Sequence, residues 1–108
     1  MKYGIKEGNH YYATSPDTIQ EARRIAGQGF KMARSLKAKL SKKITIVGTN
    51  DPEHEPIGRW KKIGELNYVW NEQKGLGYVV WNPVKGNKKY AMKRDGTIHD
   101  LSKLKKLR

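Results

Sequence analysis

Ile19-Gln20-Glu21-Ala22-Arg23-Arg24-Ile25-Ala26-Gly27-Gln28-Gly29-Phe30-Lys31-Met32-Ala33-Arg34-Ser35-Leu36-Lys37-Ala38-Lys39-Leu40 is the stretch that decides the fold. Ile19, Ala22, Ala26, Phe30, Ala33, Leu36 and Leu40 recur in it at steps of three and four, the spacing of one buried stripe on an α-helix. Just ahead, Ser15-Pro16-Asp17 supplies a hydroxyl to cap free amides, a proline suited to the first helical position and an acid for the positive first turn. The helix is therefore expected to start at Pro16. Carried to Leu40 it would be about 37 Å long at 1.5 Å per residue, against a radius of gyration of about 13 Å for a domain of this size. Gly27 and Gly29 mark where it could kink, or where it could approach a sheet closely.

The same stretch carries the chain's most pronounced charge feature. Between Arg23 and Lys43 stand eight basic residues (Arg23, Arg24, Lys31, Arg34, Lys37, Lys39, Lys42 and Lys43) and no acid. Most fall off the apolar stripe: Arg24, Lys31 and Arg34 make a row on one flank, with Arg23 and Lys37 near it. Solvated helix faces usually mix signs, since like charges one turn apart oppose the helix by about 0.2–0.5 kcal/mol per pair. A helix with an apolar floor and a cationic roof predicts contact with a polyanion.

Upstream, residues 3–6 and 10–14 are rich in β-formers and separated by Glu7-Gly8-Asn9, which reads as a hairpin. Downstream, Lys43-Ile44-Thr45-Ile46-Val47 is a β-branched run that reads as a central strand. A polar loop follows to Pro56, and then a meander with strands expected at 57–63, 67–71, 77–82, 88–93 and 97–101. Arg94-Asp95-Gly96 has the chemistry of a three-residue hairpin loop. Tyr68-Val69-Trp70-Asn71 and Tyr78-Val79-Val80-Trp81-Asn82 echo each other as two strands of one hairpin do, not as a repeat. The fold class is α+β: one small domain over residues 1–101, with a long helix packed on an antiparallel or mixed sheet, and a basic tail at 102–108.

Composition bounds the partners. The 108 residues carry a formal net charge of +13, which opposes compaction and is more easily understood if the chain meets a polyanion. Beyond Pro56 there are thirteen Lys or Arg against four acids, so basic character continues through the meander. No cysteine is present, which removes disulfides and thiolate zinc sites and fits a reducing cytoplasm. The absence of any apolar run of about 18 residues gives no membrane span, and no cofactor is expected.

Nucleic acid is the leading expected partner, held through phosphates by Arg23, Arg24, Lys31, Arg34 and Lys37 on the helix and by Lys61, Lys62, Lys88, Lys89, Lys93 and Arg94 on the meander. Trp60, Trp70 and Trp81 with Tyr68, Tyr78 and Tyr90 could supply stacking platforms, although a chain with one Phe needs large residues for its core. A second class of function is docking on an acidic protein surface, as an inhibitor or adaptor, which would expose an apolar patch containing tryptophan. A third, a ribonuclease-type toxin, would need His99 with Glu65 or Glu72 and Arg94 in one cleft; the chain is not expected to be an enzyme. Asp51, Glu53, His54 and Glu55 crowd one loop, but their spacing defines no metal site.

Overall fold

A computed structural model describes the backbone of residues 1–12, 16–35, 43–71, 76–86 and 88–100 and, of these, all side chains except those at 29–35, 70, 71 and 76–78. Residues 36–42 and the tail at 102–108 lie outside this description, as do Ser15, Lys37, Glu72 and Leu101. The elements run β1 (Lys2–Glu7), β2 (His10–Tyr12), α1 (Ile19–Ser35), β3 (Lys43–Thr49), a 3-10 turn (Ile57–Arg59), β4 (Lys61–Asn71), β5 (Leu76–Pro83), β6 (Tyr90–Met92) and β7 (Ile98–Asp100). The strands form one sheet in the order β2-β1-β3-β4-β5-β6-β7. Every pairing is antiparallel. The α+β class, the N-terminal hairpin and the meander packed on one helix are as the sequence indicates.

The helix begins three residues later than Pro16. Thr18 is its cap, the Thr18 hydroxyl accepting from the Glu21 amide at 3.2 Å, and Glu21 supplies the acid of the first turn. Pro16 and Asp17 are used to tie the lead-in to β1: the Tyr3 amide donates to the Pro16 carbonyl at 3.1 Å, and Asp17 pairs with Lys2. The helix runs on through Gly27 and Gly29 to Ser35. Gly27 serves close approach, since a Cβ there would come within 2.7 Å of the Met92 methyl on β6.

Alternation in β3 explains why it is central. Ile44 and Ile46 face the helix and join Ile5, Leu66, Trp81, Ala22 and Ala26 in the core. Directly opposed pairs carry that face across the sheet: Ile5 with Ile46, Ile44 with Leu66, Leu66 with Trp81, and Trp81 with Tyr90. Ile5, Ile46 and Leu66 are fully enclosed, each contributing about 1.5–3 kcal/mol of transfer free energy. On the opposite face Val47 is also buried, and the Ile57 side chain lies over it at Gly4, where a Cβ would meet Ile57 Cδ1 at 2.8 Å.

Two expected strands are one. The run predicted as 57–63 and 67–71 is a 3-10 turn followed by the unbroken eleven-residue strand β4. Gly64 is a strand residue and not a break because the Trp81 ring crosses it, with Cη2 2.5 Å from where a Cβ would stand. The register slips by one at Ile46 and Val47, so Ile63 is the extra residue of a bulge and still reaches the core.

Candidate nucleic-acid interface

The helix flank that the sequence suggests is dismantled at its first two members. Arg23 points inward: it is 8% exposed, its Nε donates to the Gly96 carbonyl at 2.9 Å, and its guanidinium carbon sits 5.4 Å from the centre of the Trp81 ring. Burial lowers its pKa from the ordinary arginine value. Helical periodicity places Arg23 beside Ala22 and Ala26 at the edge of the buried stripe, so its inward turn is a consequence of position. Arg24 is half-exposed but engaged by Glu21, one turn earlier, through both guanidinium nitrogens that face it. Glu21 lies just outside the acid-free run, and its i,i+3 relation to Arg24 was the signal in the sequence that this cation is partnered. Lys31 and Arg34 lie on α1 with side chains outside the description, and Lys37 falls outside it altogether.

The hairpin β6–β7 is where exposed cations gather. Its turn does not project into solvent but is latched to the start of α1. Gln20 Nε2 donates to the Asp95 carbonyl at 3.2 Å, Arg23 holds the Gly96 carbonyl, and Gly96, buried at φ +88°, lies against the backbone of Gln20 and Arg24. Glycine is required twice over, by the left-handed conformation and by the absence of room for a Cβ. Within the turn, Asp95 accepts from the Thr97 amide at 3.0 Å and the Thr97 hydroxyl at 2.6 Å, which holds its carboxyl below the usual range.

Both acids of the hairpin are thereby engaged, for Asp100 pairs with Lys88 at 3.5 Å across the β6–β7 register. Lys89, Lys93 and Arg94 are exposed and form no ion pair among the described residues, and Lys85, exposed on the preceding turn, joins them. Lys85 was legible in the sequence: from Lys85 to Arg94 the chain carries five cations and no acid. On the central strands, Lys61 is exposed, whereas Lys62 and Lys43 both lie 3.4 Å from Glu65. Burial of Glu65 would raise its pKa, but the hydrogen bonds and charges of the two lysines outweigh it and hold the carboxyl low.

The tryptophans divide. Trp81 is core at 2% exposure, and Trp60 is half-buried with its ring N–H donating to the Glu55 carbonyl at 2.6 Å. Trp81 is therefore not available for stacking, and the side chain of Trp70 lies outside the description. The acidic loop is folded on itself: Glu55 takes the Thr49 hydroxyl, and Asp51 lies 2.9 Å from His54 Nδ1. Among the described residues no group of three or more histidine or acidic side chains is arranged to hold a metal ion. His99 and Glu65 are not brought together; β7 and β4 are three strand spacings apart, about 14 Å, and Glu65 is held by its lysines. No described helix is long and apolar enough to cross a membrane.

Comparison with protein-family models, with curated proteins and with solved structures returns no match. Any functional reading therefore stands on this chain's own surface.

Proposed function

We propose that this chain is a small, basic, non-enzymatic nucleic-acid-binding protein that holds phosphates along the β6–β7 hairpin and the adjoining start of α1. The supporting observation is the latched turn: Lys93 and Arg94 are held exposed on a rigid base, while Asp95 and Asp100 of the same hairpin are consumed by Thr97 and Lys88. Fixed cations bind a polyanion with less entropy to lose than cations on a frayed ribbon. Docking on an acidic protein is less well supported, because the exposed large hydrophobics among the described side chains (Met1, Tyr12, Val69 and Val84) include no tryptophan.

The test is anisotropy of a labelled oligonucleotide duplex across salt concentrations. Neutralising about five phosphates gives a log-log slope near about −4.5. Replacing Lys89, Lys93 and Arg94 together with glutamate should abolish binding. Tight binding indifferent to salt, or unchanged in the triple variant, would refute the reading.

A further inference from the structure

We propose that the Arg23 guanidinium is a phosphate receptor at the junction where the β6–β7 turn meets α1. A buried arginine is ordinarily paired with a carboxylate, because desolvating its charge costs several kcal/mol in a protein interior. Arg23 is more than nine-tenths buried and forms no ion pair among the described residues. Its neighbours' acids are spoken for, Glu21 by Arg24 and Asp95 by Thr97. The charge of the Tyr3 phenol favours the protonated guanidinium but only partly offsets the effect of burial.

One hydrogen bond, Nε to the Gly96 carbonyl, accounts for one of five N–H donors. Among the described residues neither Nη forms a hydrogen bond, which leaves four N–H donors uncommitted. The guanidinium thus lies over the Trp81 ring, with its Nε held by the turn and its two-pronged edge uncommitted among the described residues. A clamp on Gly96 needs a single donor and no charge; the fork and the uncompensated cation are what a clamp leaves unexplained. A planar fork matches two phosphate oxygens, and a dry setting strengthens that pairing. Lys93 and Arg94, exposed and two or three residues from Gly96 along the chain, extend the same cationic rim outward.

The receptor follows from the geometry, whereas a nucleic-acid backbone as source of the phosphate rests on the reading given above. The test uses the full chain with 15N-labelled arginine, titrated with inorganic phosphate and, at matched ionic strength, with chloride. The Arg23 Nε resonance, assigned by its loss in Arg23→Lys, should shift saturably with phosphate and not with chloride. Arg23→Lys should bind the oligonucleotide about 10–100-fold more weakly, provided the Gly96 amide resonance stays in place; if that resonance moves, the wild-type titration alone decides. No phosphate-dependent shift at Arg23 overturns the proposal, even where oligonucleotide binding persists and the nucleic-acid reading stands. A saturable shift in a protein that binds no oligonucleotide supports the receptor with free phosphate as its ligand and defeats the nucleic-acid reading.

Discussion

Replacing Gly96 by alanine should unlatch the hairpin, and Gly86 provides the control. Both glycines adopt positive φ, +88° and +98°. An alanine in that region is strained by about 1–2 kcal/mol at either site, and the loss of chain entropy in the unfolded state offsets both by a similar about 0.4–1 kcal/mol. The sites differ in surroundings. A Cβ at Gly86 meets nothing within 4 Å, whereas one at Gly96 would press into the Gln20 carbonyl and lie 3.0 Å from the Arg24 amide, both backbone of a packed helix. Overpacking of that kind costs a further about 1–3 kcal/mol. Gly96→Ala should therefore be less stable than Gly86→Ala by about that amount, a large share of a total stability of about 5–15 kcal/mol. Urea unfolding followed by tryptophan fluorescence measures it, with Trp81 beneath the junction as reporter. Oligonucleotide affinity should fall in Gly96→Ala alone, since only there do Lys93 and Arg94 lose their base. Equal costs at the two glycines would refute the latch.

Two further outcomes follow from local geometry. Thr18→Ala removes the hydroxyl that accepts from the Glu21 amide and should cost about 1 kcal/mol in the same unfolding assay. Glu65 has a lowered folded pKa, so its contribution to stability is present above the ordinary carboxylate pKa and is lost as pH falls through the lower folded value; unfolding curves of wild type and Glu65→Gln should differ by no more than about 1 kcal/mol at neutral pH and converge in acid.

The sequence disclosed most where a periodic signal was long. Helix spacing located α1, and β-branched alternation located β3, because burying a stripe or a face imposes that pattern on any solution of the fold. What it hid was decided by contacts distant in sequence. The helix start moved from Pro16 to Ile19 because Pro16 and Asp17 were drawn to β1, a partner that local cap chemistry cannot anticipate. Residues 57–63 and 67–71 read as separate strands, whereas β4 runs unbroken through Gly64, against which the Trp81 ring packs. In the site, Arg23 reads as one more basic side chain in a run; its place at the edge of the apolar stripe was there to be read, but its partner, the Gly96 carbonyl, returns from seventy-three positions away. Arg24 was different, since its partner Glu21 stood in plain view one turn earlier.

The bond between Gln20 and Asp95 spans seventy-five residues of a 108-residue chain. As the chain emerges from synthesis, α1 and the first hairpin are complete long before β6 and β7 exist, so Trp81 and the Arg23 cation await their cover until nearly the last strand is in place. Closure over so long a separation is slow relative to helix formation. The latch is therefore a late event in folding, and a chain cut short before Gly96 would leave a basic, aromatic surface uncovered on an otherwise half-formed sheet, the kind of species that aggregates or is captured by chaperones.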